Sequence, residues 1–182
     1  SSAGSFRMNQ YRSVADQKMD GQLLAGRACT FFHKECEAYL RYDPAMDAGS
    51  KKNSVTMRKS DLGGGSHAIF QVQAEDETRG SPCQWNDRFR LRHWTGRFLS
   101  VANVKGGDGS YEVMLVSATA SRNDPESTLF MFFPQYPLEG AISHANFLQI
   151  CHVRTMAQLH AITEEPDSAM EVADAVEFKI VA

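Results

Sequence analysis

The stretch "DRFRLRHWTGRFLS", residues 87–100, decides the fold because it holds two strand patterns on either side of a tight turn. Phe89 and Leu91 alternate with arginines, and successive side chains of a strand point to opposite faces of a sheet. Gly96 predicts the turn, since glycine adopts positive φ at little cost. Leu99 then resumes the alternation. The stretch therefore predicts a β-hairpin whose phenylalanine and leucines are buried.

The outer face of this hairpin carries the alternating arginines Arg88, Arg90 and Arg92. Arg88 and Arg90 are expected to be largely exposed. Such a face is either an ordinary solvated strand surface or a functional basic surface. In the second case, these arginines are a candidate contact for an acidic neighbour.

The hairpin pattern occurs three times in the chain. Each copy contains a histidine, and His33, His93 and His152 lie about 60 residues apart. Apolar residues stand four and two residues before each histidine, and six or seven residues after it. In chain order they are Cys29, Phe31, Leu40, Phe89, Leu91, Leu99, Leu148, Ile150 and Leu159. We expect the three sets to occupy symmetric positions in one core.

A second marker, a phenylalanine two residues before an apolar residue, follows each hairpin at Phe70, Phe130 and Phe178. It lies 37 residues after the first two histidines and 26 residues after the third. Each unit is thus predicted to be a hairpin, a variable loop and a closing strand, with the third unit shortened.

Three units of this kind predict an all-β fold, a β-trefoil with three pseudo-repeats. That architecture closes six strands into a barrel and caps it with three hairpins, and closure removes sheet edges. Short helical turns are expected only in loops, such as residues 125–130 and 167–175. The repeat runs through the glycine-rich loops, so residues 1–182 are predicted to form one domain.

Composition excludes several classes of protein. The 182 residues carry a net charge of −3 with a pI near 6.1, which argues against nucleic-acid binding. No apolar run approaches the roughly 18 residues of a membrane span, and no signal segment is visible. Residues 1–5 are expected to be a cloning remnant or a disordered end. The chain is expected to be a fragment of a longer protein.

Enzyme signatures are not found, and neither a cofactor nor a catalytic residue is predicted. The glycine-rich residues 62–67 lack the Lys-Ser/Thr of a phosphate-binding loop. The three equivalent histidines are expected to hydrogen-bond the turn backbone, one ring nitrogen donating and the other accepting, in preference to binding a metal. Free thiols are favoured for Cys29, Cys36, Cys83 and Cys151, since none forms a Cys-x-x-Cys pair.

One longer stretch resembles a known family. "QWNDRFRLRHWTGRFL", residues 84–99, is similar to the recurring motif of the MIR domain of inositol trisphosphate receptors and ryanodine receptors. The matching positions are Trp85, Asn86, Phe89, Arg90, Arg92, His93, Thr95, Gly96, Phe98 and Leu99. The resemblance extends over nearly the whole chain from about Phe6. Leu159 and His160 stand where inositol trisphosphate receptors have an apolar-His pair, which favours that branch.

This resemblance implies a cytosolic β-trefoil, the second near the N-terminus of a homotetrameric, ligand-gated calcium-release channel of the endoplasmic reticulum or another calcium store. The domain would form one wall of the ligand cleft and contact the adjacent trefoil and helical domains. The fragment itself is expected to be a monomer, with a membrane connection only through the full-length channel. The alternative is a MIR domain of a ryanodine receptor or of a protein O-mannosyltransferase-like protein, with a carbohydrate- or protein-binding role.

The resemblance also implies a ligand loop. The family's Arg-Thr-Thr-Gly-Arg falls on residues 58–62, so Arg58, Lys59 and Ser60 are the predicted contribution to a phosphate site. Asp61 stands where the family has Gly, and Leu62 where it has a second Arg. A carboxylate repels phosphate and a missing guanidinium removes a bidentate partner. Binding of inositol trisphosphate by this chain alone is therefore expected to be weak or absent.

Overall fold

The structure, a computed structural model, describes most of the chain. The described residues are 6–10, 22–33, 38–42, 44, 56–58, 66–76, 80–107, 109–134, 139–143, 146–162 and 176–181. Within them the chain is mostly strand. The strands are β1 (Phe6–Gln10), β2 (Ala28–His33), β3 (Ala38–Arg41), β4 (Thr56–Arg58), β5 (Phe70–Ala74), β6 (Phe89–His93), β7 (Phe98–Lys105), β8 (Ser110–Val116), β9 (Phe130–Pro134), β10 (Phe147–His152), β11 (Gln158–Ile162) and β12 (Val176–Val181).

Six of these strands close into a barrel. Antiparallel pairings run from β1 to β2, β5, β6, β9 and β10, and β10 pairs with β1 again. The remaining six strands form three hairpin caps, namely β3–β4, β7–β8 and β11–β12. The cap strand β12 also pairs with β4 and β8, which links the caps. The predicted β-trefoil is confirmed.

The threefold pattern of apolar residues forms the core. Each of the nine repeat residues is at most 1% exposed. Phe70, Val72, Phe130 and Phe132 of the closing strands are fully buried beside them, and Phe89 stacks on Phe132 with ring centroids 5.1 Å apart. The prediction that the three units contribute equivalent core positions is therefore confirmed.

The third closing strand is not the predicted one. Phe178 lies in β12, which pairs with β11 as part of a cap hairpin. In the first two units, the closing-strand phenylalanine pairs with the histidine of the next unit, Phe70 with His93 and Phe130 with His152.

Phe6 makes the matching pair with His33, and it pairs with Leu148 as Phe130 pairs with Phe89. The N-terminal β1 is therefore the closing strand of the third unit. This also explains the short spacing from His152 to Phe178, because that marker belonged to a different kind of strand.

In the described residues, helical structure is confined to loops. The helical turn predicted within residues 125–130 is confirmed, whereas residues 167–175 lie outside the described part of the chain. One helix, α1 (Ala118–Asn123), and a 3-10 turn, Pro125–Thr128, lie between β8 and β9, and a second 3-10 turn spans Ser66–Ala68. The Ser117 side chain caps α1 by accepting from the Ala120 N–H at 3.1 Å. Pro125 follows directly after the C-cap Asp124, and a proline cannot continue a helix.

The three outward arginines, Arg88 just before β6 and Arg90 and Arg92 within it, differ in exposure. Arg88 is exposed, as predicted. Arg90 was also predicted to be largely exposed, but it is half-buried, so that prediction was wrong. Arg92 is half-buried as well. The reason is that the loop containing α1 folds over this face of the sheet, which alternation within one strand does not reveal.

Candidate binding groove

The sequence-predicted ligand loop lies largely outside the described residues. Arg58 ends β4, where its backbone pairs with that of Tyr39. Lys59 and Ser60, together with Asp61 and Leu62, are not among the described residues. The assignment of Arg58, Lys59 and Ser60 to a phosphate site thus stays a prediction.

The histidines of the second and third units have a structural role, but their main partners are a turn hydroxyl and a carbonyl of another loop instead of the predicted turn backbone. His93 Nε2 lies 2.7 Å from the His67 carbonyl oxygen, and its Nδ1 lies 2.9 Å from the Thr95 hydroxyl. His152 repeats this with the Ser127 carbonyl and the Thr155 hydroxyl, both at 2.9 Å.

A carbonyl can only accept, so Nε2–H donates to it and Nδ1 of the neutral ring accepts. The backbone N–H of Thr95 also approaches Nδ1 at 3.4 Å, so the ring holds the turn on one side and a neighbouring loop on the other. Burial lowers the pKa of both rings below their usual value of 6.5. Both nitrogens of each ring are therefore engaged in hydrogen bonds within the protein.

Three cysteines are free, buried thiols: Cys29, Cys83 and Cys151. Burial raises the pKa of Cys83 to about 12, and it raises the pKa of the other two as well. A thiol in such surroundings stays protonated and unreactive at neutral pH. Cys36 lies outside the described residues.

A groove of about 390 Å³ lies between the outer face of β5–β6 and the α1 segment. Its lining includes Gln73, Arg90, Arg92, Phe98 and Arg122. Its arginines thus come from two positions of β6 and one of α1, and we call this the arginine groove. Of the described residues that line it, none is acidic.

Arg90 is held firmly in the arginine groove. Its Nε donates to the Thr128 hydroxyl at 3.0 Å, and its Nη2 donates to the Pro125 carbonyl at 3.1 Å. Thr128 is fully buried and contacts the hydroxyl of Ser121 at 2.8 Å. These bonds use two of the five guanidinium N–H groups, so three remain for a ligand.

The other two arginines are less engaged. The Arg122 Nη2 donates to Thr119 in the preceding turn of α1, at a long 3.3 Å. In the described part of the chain, Arg92 has no hydrogen-bond or ion-pair partner. It stands between Gln71 of β5 and Phe98 of β7 in the sheet register. Its guanidinium is therefore available to a bound molecule.

Asp124, the carboxylate between Arg122 and Pro125 of this lining, is already engaged. Asp124 accepts two hydrogen bonds from Arg154, Nη1 to Oδ1 at 2.8 Å and Nη2 to Oδ2 at 3.1 Å. This bidentate pair joins the α1 segment to the third hairpin. It also satisfies Asp124, so that carboxylate does not neutralise the arginine groove.

A second, more open groove of about 600 Å³ lies on the other side of Arg88. Its charged lining residues are Glu75, Asp76, Asp87 and Arg88. Arg88 Nη1 lies 4.0 Å from Glu75, and both side chains are about half exposed. The three arginines that sequence alternation placed together are thus divided between two grooves.

Sequence reasoning found Arg90 and Arg92 but missed Arg122. Arg122 comes 30 residues after Arg92 and lies in a loop helix whose packing no strand pattern predicts. The run "SATASRNDPEST", residues 117–128, carries a usable signal. A capping serine followed eight residues later by proline predicts one short helix.

Metal and membrane sites were searched among the described residues. No group of three or more His, Cys, Asp or Glu side chains there could hold a metal ion. The same residues contain no helix that is long and apolar enough to span a membrane.

The closed barrel and its three hairpin caps define a β-trefoil domain with the arginine groove on its outer surface. A family model described as the MIR domain matches residues 21–137, more than half of the 182 residues. The chain therefore belongs to the MIR domain family, a family of non-catalytic binding domains. The sequence-based identification of a MIR domain is confirmed.

Solved structures share this fold at low sequence identity. A Caenorhabditis elegans protein, solved by structural genomics with its function unknown, has a TM-score of 0.71 and 16% identity, with 89% of this chain and 90% of that chain covered. The SDF2-like protein from Arabidopsis thaliana has a TM-score of 0.66 and 16% identity, with 87% and 94% covered. No curated protein matches the sequence. At this identity the likeness establishes the fold.

Proposed function

We propose that this MIR domain is a recognition module that binds an acidic protein or carbohydrate partner in the arginine groove. One observation carries the proposal: three arginines line a single groove whose described lining contains no acid. Such an arrangement costs repulsion between like charges, and an anionic ligand relieves it. This role corresponds to the carbohydrate- or protein-binding alternative expected from the sequence.

The overall charge makes this local excess of arginine more significant. The chain has a net charge of −3, so a groove lined only by basic charged groups opposes the sign of the whole molecule. A general polyanion binder would be basic overall. A localised basic site on an acidic domain instead favours one anionic group held in a defined position.

Binding of acidic probes to the purified chain tests the proposal. The probes are a glutamate-rich peptide and a galacturonate oligosaccharide, each compared with its neutral counterpart by calorimetry. We expect both acidic probes to bind, with affinity that falls as salt rises. Replacement of the partner-free arginine, Arg92→Gln, should weaken binding about tenfold.

Arg88 provides a matched control, because it lies four residues before Arg92 on the same face of the sheet. Arg88→Gln removes the same charge from outside the arginine groove and should leave binding nearly unchanged. The proposal fails if neither acidic probe binds. It fails equally if Arg92→Gln and Arg88→Gln weaken binding to the same extent.

A second candidate function is the inositol trisphosphate receptor-like channel domain. The specific observation in its favour is the motif over residues 84–99, which matches the family at ten positions. In this role the domain lies on the cytoplasmic side of a calcium-store membrane and supplies one wall of the ligand cleft. The SDF2-like structural neighbour supports the first candidate more than this one.

The second candidate is tested with inositol trisphosphate and a longer chain that includes the following domain. The 182 residues alone should bind with about millimolar affinity or weaker, since one or two charge-assisted hydrogen bonds barely offset the cost of association. In the longer chain, Arg58→Ala should weaken binding and Asp61→Gly should strengthen it. An Arg58→Ala change without effect would contradict the placement of the ligand loop.

A further inference from the structure

The donors of the arginine groove indicate what kind of anion it takes. Arg90 is fixed by Thr128 and Pro125, yet three of its N–H groups remain unused by those bonds. Arg92 offers its whole guanidinium. Arg122 offers most of its own, because its one bond to Thr119 is long. Three arginines with unused N–H groups thus line one groove, and together they hold more donors than one carboxylate can satisfy.

We infer that the arginine groove binds a phosphoryl monoester, an inference that rests on the proposed function above. A phosphoryl monoester carries a charge near −2 at neutral pH and three acceptor oxygens. Guanidinium forks match such oxygens in pairs, and arginine clusters are a recurring means of recognising phosphorylated groups. A single carboxylate has one charge and would leave much of this donor set unpaired.

The groove has room for the group that carries the phosphoryl. A volume of about 390 Å³ falls within the range of small-molecule pockets. Phe98, Ala74 and Pro125 supply apolar lining, and the Gln73 amide adds a polar group directly across the sheet from Arg90. The phosphoryl group would contact the arginines, while the attached sugar or side chain would pack on the apolar lining.

Arg90 serves as the fixed anchor of this site, and Arg92 as the adaptable partner. The anchor is held because Thr128 is itself fixed, accepting from Arg90 and donating to the Pro125 carbonyl at 3.1 Å. A pre-positioned guanidinium loses less side-chain entropy when the ligand binds. Arg92 has no such partner in the described residues, so its replacement tests binding without breaking the fold.

The experiment compares phosphoryl and carboxylate probes on the purified chain by calorimetry. A phosphoserine peptide and glucose 6-phosphate are the phosphoryl probes, and each has an unphosphorylated counterpart. A peptide with two adjacent aspartates in place of phosphoserine matches the charge. We expect the phosphoryl probes to bind at least about tenfold more tightly than the diaspartate peptide.

Substitution of Arg92 by lysine separates the guanidinium fork from its charge. Arg92→Lys should weaken phosphoryl binding about tenfold and change binding of the glutamate-rich peptide much less, because lysine keeps the charge without the fork. Arg88→Gln serves again as the control outside the groove. Thermal unfolding of each variant shows whether the fold is intact.

The outcomes distinguish this inference from the proposed function. Binding of glucose 6-phosphate alone identifies a sugar as the carrier, and binding of the phosphoserine peptide alone identifies a protein; either supports the inference. Phosphoryl probes that bind no better than the diaspartate peptide overturn the inference and leave the proposed function standing. Loss of binding by every acidic probe overturns both.

Discussion

At the scale of single residues, two histidines hold turns that strand pairing alone would leave loosely attached. His93 and His152 each join a turn hydroxyl to the backbone carbonyl of another loop, across 26 and 25 residues of sequence. Burial disfavours the charged ring, and in the neutral ring Nδ1 accepts from the threonine hydroxyl while Nε2–H donates to the carbonyl. The stability of the fold is thus tied to the protonation state of these rings.

Stability should therefore fall as the solution becomes mildly acidic. Burial lowers the pKa of both rings in the folded state, so the unfolded chain takes up protons first as pH drops below 6.5. We expect these two rings to leave the free energy of unfolding unchanged above that pH and to lower it as the pH falls below 6.5. Urea unfolding across this range measures the decline.

A His152→Gln variant provides the comparison for this pH effect. Glutamine can still donate to the Ser127 carbonyl but does not titrate. Its unfolding free energy should depend less on pH than that of the unchanged chain. Equal pH dependence in both proteins would show that the ring does not contribute to it.

Another residue-scale feature is a strained turn in the third hairpin. Met156 has a φ of 54°, in the region that favours glycine, and it is 64% exposed. It precedes the residue that closes the turn, Ala157, whose carbonyl accepts from the His152 N–H at 2.8 Å. Gly96 holds the corresponding place in the second hairpin with a φ of 88°. The third turn is one residue longer, since the His152 N–H reaches Ala157 whereas the His93 N–H reaches Arg97. It nevertheless ends on the same left-handed conformation, without the glycine that suits it.

Met156→Gly should stabilise the protein. Relief of the left-handed strain exceeds the entropy cost of glycine, so we expect the free energy of unfolding to rise by up to about 1 kcal/mol. Chemical denaturation measures the change. Met156→Ala removes the same exposed side chain but keeps the strain, so it should give no gain. A gain from alanine as large as that from glycine would refute this explanation.

At the scale of elements, the N-terminal strand decides whether the barrel is closed. β1 pairs with β2 on one side and with β10 on the other. Without it, both neighbours would present unpaired N–H and C=O groups at open edges. The third unit therefore combines β1, from the start of the chain, with β10, β11 and β12 from its C-terminal part.

Removal of residues 1–10 should destabilise the fold by about 3 kcal/mol or more, because each lost backbone hydrogen bond contributes roughly 0.5–1.5 kcal/mol. Removal of residues 1–5 alone should have little effect. Reattaching residues 1–10 after Ala182 through a flexible linker should restore much of the stability, since the closing strand of a unit follows its cap hairpin. Unchanged urea unfolding after loss of residues 1–10 would contradict the role given to β1.

At the scale of the whole molecule, the exposed hydrophobic and charged side chains indicate which kind of partner the domain can bind. The large hydrophobic side chains that are exposed among the described residues are Trp94, Val104 and Met156, which lie on three separate stretches. Isolated exposed hydrophobics are ordinary on a protein surface. The concentrated feature is instead the arginine groove, which suits a polar partner.

We accordingly expect the purified chain to be a monomer. Any association with another molecule should depend on an anionic group in that molecule. Light scattering at several protein concentrations should give the mass of one chain, close to 20.3 kDa. A dimer mass that persists on dilution would contradict this expectation. The same measurement in high salt shows whether any self-association is electrostatic.

The sequence by itself determined the hairpins, the core and the fold class. Alternation within a strand depends only on neighbouring residues, so Phe89 and Leu91 could be assigned to the core. The spacing of His33, His93 and His152 then revealed the three units, because equivalent residues of a repeat occupy equivalent places. The same local patterns supported the MIR resemblance.

Only the tertiary structure decided which strand closes the third unit and where the arginine groove lies. The pairing of Phe6 with His33 and Leu148 joins distant parts of the chain, and no local pattern distinguishes it from the competing marker at Phe178. Likewise, Arg122 lines the same groove as Arg90 and Arg92 because the α1 segment packs over the outer face of β6. Side-chain alternation reports which face a residue occupies; what covers that face depends on contacts between remote segments.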